Sequence, residues 1–260
     1  MQAIILAAGQ GTRLRPLTDD RPKCLVPVSG RPLLERHLAV LAGAGVSPVT
    51  IVGGHMAHCL ENNGITLLRN EAFASTNMVW SLRCAFDSFV RGCVLAYGDI
   101  AYSPAALRAL LDHRGDICVV VDRDWEAYWR TRSESPLNDA ETLRITPDGL
   151  LAEIGNRPKT LDEIQGQYIG LMKFSPKGAV ITRDLVEGAL AQKGMLNGKP
   201  VEQAYMTDLL QQLIFLNCSI HPVLIDGGWV EIDTLSDIPA AEARLARWAD
   251  GGSAGFSPKT

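Results

Sequence analysis

Two groups of residues in this sequence have the types and spacing that phosphate chemistry needs. The first is Gly9-Gln10-Gly11-Thr12-Arg13, directly after the apolar run Ala3–Ala7. Glycine lets backbone N–H groups approach phosphate oxygens closely, because no Cβ intervenes. Thr12 adds a hydroxyl donor, and Arg13 a planar fork suited to phosphate. Lys23, following Pro22, adds a mobile point charge. The string is neither G-x-x-x-x-G-K-[ST] nor G-x-G-x-x-G, since Leu14 stands where a third glycine belongs. That excludes the P-loop and dinucleotide-dehydrogenase readings. Taken alone, the loop also fits a tight turn with a solvated arginine. The second group is acidic: Asp99 after Gly98, and Glu231-Ile232-Asp233. If the latter stretch is extended, its two acids face one side. Each acid alone would also fit a turn or a solvated edge strand.

A third stretch, Asp124-Trp125-Glu126-Ala127-Tyr128-Trp129-Arg130-Thr131-Arg132, sets aromatic rings between charges. Aromatic faces and carboxylates can hold an alkylammonium. Arg130 and Arg132 can hold a phosphate or phosphonate, so together they suit a zwitterion. Trp129 and Tyr168 are the preferred members of such a pocket. The alternative is an aromatic surface loop anchored on the core. The five histidines show no metal-site spacing, and the six cysteines lack a C-x-x-C, reading as reduced thiols.

These residues need elements to position them. Ala3–Ala7, Val49–Val52, Thr66–Leu68, Cys93–Tyr97 and Ile117–Val121 read as strands, most of them buried. Pro32–Ala44 and Asn77–Val90 read as helices, and Ser103-Pro104 as an N-cap and first helical residue. Strands alternating with helices predict a Rossmann-like three-layer α/β/α fold with a mixed, mostly parallel central sheet. Ligands in such sheets lie beyond the carboxyl ends of the strands. Gly9–Arg13 and Asp99 both follow strand ends and belong on one rim. Further on, Asp122–Asn138 reads as a loop or lid. Thr142–Ile145, Leu150–Ile154, Tyr168–Phe174 and Ile220–Ile225 read as strands. Pro176–Gln192, Val201–Leu216 and Ser236–Ala249 read as helices, the last with an N-cap serine. We expect one domain over 1–250, with a nucleotide-binding half (1–121) and an acceptor-binding half (122–250), and a flexible tail at 251–260.

The full N-terminal string resembles the start of sugar-nucleotide and cytidylyl transferases. It runs Leu6-Ala7-Ala8-Gly9-Gln10-Gly11-Thr12-Arg13-Leu14, then Pro16-Leu17-Thr18, Arg21-Pro22-Lys23, Leu25-Val26-Pro27-Val28 and Arg31-Pro32-Leu33-Leu34. Ser75–Leu82, Gly98-Asp99, Gln167–Leu171 and Trp229–Thr234 are similar to later segments of that superfamily. The short length and the Thr-Asn…Ser-Leu and Glu-Ile-Asp elements are most like the small phosphocholine and phosphonate cytidylyltransferases. The resemblance implies attack of an acceptor phosphate or phosphonate oxygen on the α-phosphorus of CTP, with pyrophosphate leaving. Such chemistry relies on positioning and charge neutralisation.

On this reading Leu6, Ala7, Ala8, Gly9, Gly11, Thr12, Arg13, Lys23, Asn77 and Ser81 bind the nucleotide. Arg13, Lys23, Asp99 and Asp233 are the catalytic set. Asp99 and Asp233, with Glu231 third, hold Mg2+. Trp129, Arg130, Arg132, Lys159 (or Arg157), Tyr168 and Glu231 bind the acceptor. A hexose-1-phosphate nucleotidylyltransferase or a silent nucleotide-binding regulatory domain would share the loop. A net charge of −4 argues against general nucleic-acid binding. No basic leader precedes the first strand, and no apolar run nears the roughly 20 residues of a membrane span. We therefore expect a cytoplasmic enzyme with CTP and a small acceptor as partners; a homodimer is compatible with this.

Overall fold

The computed structural model describes residues 1–61, 65–132 and 135–250; the tail expected at 251–260 lies outside the described residues. Its centre is a seven-stranded sheet in the order His221–Ile225, Ile117–Asp122, Gln167–Phe174, Cys93–Tyr97, Gln2–Ala7, Val49–Gly53, Ile65–Arg69. The Gln167–Phe174 strand runs antiparallel to both its neighbours, and every other pairing is parallel. The expected Rossmann-like, mostly parallel α/β arrangement is therefore present.

Alternation along the buried Gln2–Ala7 strand builds two cores. Ala3 and Ile5 point into one, with Leu33, Leu41, Leu107, Leu110, Tyr128, Trp229 and Leu245; Ile4 and Leu6 point into the other, with Val79, Leu82, Phe89, Val186, Leu209 and Leu213. Helices Leu33–Gly43, Pro104–Asp112, Trp125–Arg132 and Asp237–Asp250 thus cover one face. Helices Met78–Arg83, Phe86–Phe89, Pro176–Ala191 and Met206–Phe215 cover the other. The expected Ser103 cap is present, its hydroxyl accepting the Ala106 amide at 3.2 Å.

Four expectations need correction. The 122–138 stretch is not simply a loop: Trp125–Arg132 is a helix. Trp125, Tyr128, Trp129 and Arg132 recur at helical spacing and bury one stripe, a periodicity hidden by the polar residues between them. The helix expected at Asn77–Val90 breaks at Cys84-Ala85 into two short ones that keep their apolar residues on the same core. The Val201–Leu216 segment starts as a single 3-10 turn, Val201–Gln203. It begins again at Met206, where the Asp208 carboxylate accepts the Tyr205 amide at 2.8 Å. In the last helix it is Asp237, not Ser236, whose side chain accepts backbone amides, those of Asp233 and Thr234.

Candidate active site

The Gln2–Ala7 strand ends in a loop that is pinned at several points. Leu14 is buried, and the Thr18 hydroxyl donates to Gly11 O at 2.8 Å. Gly11 has φ +62, and a Cβ there would meet Thr18 and Lys23 side-chain atoms at 3.1 and 3.2 Å. The neighbouring Cys93–Tyr97 strand ends in Gly98, whose amide donates to Leu6 O at 2.8 Å. A Cβ at Gly98 would stand 2.9 Å from the Ala7 Cβ, so only glycine lets the two strand ends come this close.

Between these ends and the Met78–Arg83 helix opens a cleft lined by Leu6, Ala7, Ala8, Gly9, Lys23, Asn77, Ser81 and Asp99 among others. Most of the residues expected to bind a nucleotide are thereby gathered. Asn77 caps the helix, accepting the Met78 amide at 3.0 Å. Ser81 is buried, and its hydroxyl accepts from Asn70 Nδ2 at 3.0 Å. Asn70 also donates to Thr76 Oγ1 and accepts the Ala72 amide, so it ties the cleft wall together. Asn70 and the cleft-lining Phe73 were not anticipated. The signal for Asn70 was available, since it directly follows the Ile65–Arg69 strand on the ligand-binding rim. Thr12 and Arg13 sit at the loop's exposed end.

Asp99 and Asp233 come together, by a different route than pairing into the main sheet. Trp229–Glu231 forms a separate two-stranded sheet with Ile100–Tyr102, and the Ile232 amide then donates to Asp99 O at 3.0 Å. Carboxylate oxygens of Asp99, Glu231 and Asp233 consequently lie within 4.8 Å of one another. The Lys23 ammonium bridges two of them, 2.8 Å from Asp99 Oδ2 and 2.5 Å from Asp233 Oδ1. Arg13, 61% exposed, reaches Asp233 at 3.3 Å from the rim.

Burial works against charge on Lys23, but Asp99 and Asp233 outweigh it and hold its pKa above the ordinary lysine value. Burial likewise pushes Asp233 upward, yet Lys23, Arg13 and Arg132 leave it below the usual carboxylate value. Glu231 goes the other way: burial and the adjacent Asp233 raise it despite Arg132. Asp99 Oδ1 is buried and has no hydrogen-bond partner among the described residues. A vacant oxygen on a hard-donor cluster already bridged by an ammonium fits a divalent cation.

The residues expected to bind the acceptor divide. Glu231 belongs to the acidic cluster, and Tyr168 opens the antiparallel strand with its ring edge-on to Tyr97, centroids 5.8 Å apart. Trp129, only 4% exposed, is packed among Trp125, Tyr128 and Trp229, with the Arg132 guanidinium 5.1 Å from its ring centre. Arg132 has a 5% exposed side chain and is taken up by Glu231 at 2.8 Å and Asp237 at 2.9 Å. Arg130 pairs with Glu126 on the surface. Lys159 and Arg157 are exposed on the loop before the 3-10 turn Leu161–Glu163. Trp129, Arg130 and Lys159 are not among the residues that line the cleft.

With this geometry in view, comparison with known proteins is decisive. Residues 3–243 match the MobA-like NTP transferase domain. The chain belongs to that family. This nucleotidyltransferase is 36% identical over 251 residues to the CTP:phosphoglutamine cytidylyltransferase of Campylobacter jejuni, covering 92% of this chain and 98% of the relative. It is 37% identical over 245 residues to the 2-aminoethylphosphonate cytidylyltransferase of Lancefieldella rimae, covering 92% and 90% of the two chains. In structure it resembles the CTP:phosphocholine cytidylyltransferase of Streptococcus pneumoniae with a TM-score of 0.74 at 22% identity, over 94% of this chain and 98% of that one, a likeness of fold. No helix among the described residues of the transferase is long and apolar enough to cross a membrane.

Proposed function

We propose that the protein is a cytidylyltransferase that joins CTP to a small acceptor bearing a phosphate or phosphonate and an amine. The observation that carries this reading is the Lys23-bridged cluster of Asp99, Glu231 and Asp233 at the mouth of the glycine-loop cleft. The two relatives matched over nearly their whole length support cytosine as the base and a phospho- or phosphono-amine as the acceptor.

The loop amides from Ala8 to Arg13 and the Arg13 guanidinium would take the triphosphate. Its negative charge competes with Asp99 and Asp233 for the Lys23 ammonium, which then neutralises charge developing on the leaving pyrophosphate. Asp99 and Asp233, with Glu231, would hold Mg2+, which supplies charge neutralisation at the α-phosphate when bound. An acceptor oxygen attacks the α-phosphorus, the bond to the bridging oxygen breaks, and pyrophosphate departs with the electron pair. Asn77 and the Asn70–Ser81 pair hold the cleft wall against which the nucleoside rests. The six unpaired cysteines suit a reducing, cytoplasmic setting.

The test is pyrophosphate release with CTP, UTP, dTTP and GTP against phosphoglutamine, 2-aminoethylphosphonate, phosphocholine and glucose 1-phosphate. The reading predicts release with CTP and an amine-bearing acceptor. Release with hexose 1-phosphate alone would replace it with nucleotide-sugar synthesis.

A further inference from the structure

Asn70 lines the cleft together with Phe73, Thr76 and Ser81, and only 2% of it is exposed. Its side-chain amide can sit only one way round. The Ala72 backbone N–H is a donor, so the atom it meets at 3.0 Å is the carbonyl oxygen Oδ1. Nδ2 therefore faces two hydroxyls, donating to Thr76 Oγ1 and to Ser81 Oγ, each at 3.0 Å. Both N–H bonds of the amide are spent on them.

The two hydroxyls differ in where their own protons go. Thr76 donates to Ala72 O at 2.9 Å, which completes it. Ser81 has only Asn77 O, at 3.5 Å, well beyond the roughly 2.5–3.0 Å of an O–H···O bond. That carbonyl already accepts the Ser81 amide at 3.1 Å. Among the described residues no closer acceptor meets the Ser81 proton. Ser81 is 4% exposed, and a buried hydroxyl without a good acceptor is costly until a group in the cleft supplies one. The glycine loop, Lys23 and Asp99 line the strand-end side of the same cleft. A nucleotide with its phosphates on that side presents its base to the side that Asn70 and Ser81 form.

We propose that Asn70 is the positioning residue of base selection: by donating to Ser81 it turns that hydroxyl's proton into the cleft, where it meets the unprotonated ring nitrogen N3 of cytosine. This rests on the cytidylyltransferase reading and supplies its discrimination between bases. Uracil and thymine carry a hydrogen on N3. Such a base could use only the remaining lone pair of Ser81 Oγ, and the hydroxyl proton would be left on its 3.5 Å contact with Asn77 O. A site whose buried donor is left unpaired by the wrong ligand rejects that ligand.

The experiment measures pyrophosphate release by the full chain with the acceptor that wild type uses and with CTP, UTP or 3-deazacytidine triphosphate, in which C–H replaces N3. Wild type should favour CTP over each of the others by at least about tenfold in kcat/KM, the size expected of one buried hydrogen bond. Asn70→Asp puts an acceptor oxygen where Nδ2 stood, so the Ser81 proton turns back to the new carboxylate and lone pairs face the base. The CTP-to-UTP ratio should then fall by at least about tenfold with the acceptor KM unchanged. Ser81→Ala should lower the ratio as well. Wild type using 3-deazacytidine triphosphate as well as CTP overturns the assignment, and that comparison needs no variant to fold. Equal losses with CTP and UTP in Asn70→Asp also overturn it, since a residue that only braced the wall would act so. Absence of CTP turnover with every acceptor overturns the cytidylyltransferase reading itself, a different outcome from CTP turnover that ignores N3.

Discussion

Replacing Arg132 with glutamine separates two accounts of that residue. Sequence pattern makes it a ligand for the acceptor's phosphate, whereas the structure makes it the clasp of the acidic cluster. Its guanidinium meets Glu231 at 2.8 Å and Asp237 at 2.9 Å and has Asp233 at 3.7 Å, with only 5% of the side chain exposed. Asp237 in turn accepts the amides of Asp233 and Thr234 at 2.8 and 2.7 Å, so one cation steadies both the Glu231 carboxylate and the Asp233 backbone. Removing one partner of a buried ion pair costs about 3–5 kcal/mol, because the remaining carboxylates are left uncompensated. Against a usual total of roughly 5–15 kcal/mol, that is a large share. At about 2–4 °C per kcal/mol for a chain near this size, melting should fall by roughly 6–20 °C. Displacing a catalytic carboxylate by even ~1 Å costs about a hundredfold in rate, so kcat should fall with little change in the acceptor KM. Arg132→Lys keeps the charge without the fork and should lie between. Thermal melting and steady-state pyrophosphate release measure both quantities. An unchanged melting temperature with a raised acceptor KM alone would refute the clasp and restore the ligand role.

Three further outcomes are expected. Lys23→Met should lower kcat/KM for CTP by about 10²–10³ through lost charge neutralisation, and should tighten Mn2+ binding by the nucleotide-free protein, because no ammonium then occupies Asp99 and Asp233; weaker Mn2+ binding in a magnetic-resonance titration would contradict this. Gly98→Ala should cost about 1–3 kcal/mol in urea unfolding, since the new methyl meets the Ala7 Cβ at 2.9 Å and Leu6 O at 3.1 Å; a midpoint equal to wild type would show that the two strand ends can part freely. Glu141 sets a pH dependence. Burial, then Asp208, raises its carboxyl from 4.5 to about 7, so between these values the folded state keeps a proton that the unfolded chain has released. Wild-type stability relative to Glu141→Gln should therefore decline as pH rises through that window and level off above it. Denaturation at pH 5 and pH 8 checks this, and a gap that does not change would mean the carboxyl is ionised in the fold at both.

The parts of this molecule that rest on local rules were legible before folding. The apolar run Gln2–Ala7 followed by glycines, and Gly98-Asp99 after Cys93–Tyr97, put two ligand-facing loops on one rim, and the structure has them adjacent. Glu231 and Asp233 on one side of an extended segment also follow from strand periodicity. The segment's partner did not follow, because strand pairing is a long-range choice: Trp229–Glu231 selects Ile100–Tyr102 rather than the main sheet. The aromatic stretch misled for a related reason. Rings among charges look like a cage in one dimension, but helical spacing turns Trp125, Tyr128 and Trp129 toward Trp229 and leaves Glu126 and Arg130 outside.

The central claim is that the carboxylates gathered at Lys23 are where the nucleotidyl group is transferred. Asp99→Asn tests it most directly. The change is isosteric, leaves the backbone bond from Ile232 intact and removes one carboxylate from the cluster. With CTP and the acceptor that wild type uses, turnover should fall by at least about 10², while circular dichroism and the urea midpoint report a folded protein. Turnover close to that of wild type in a folded Asp99→Asn enzyme would contradict the account.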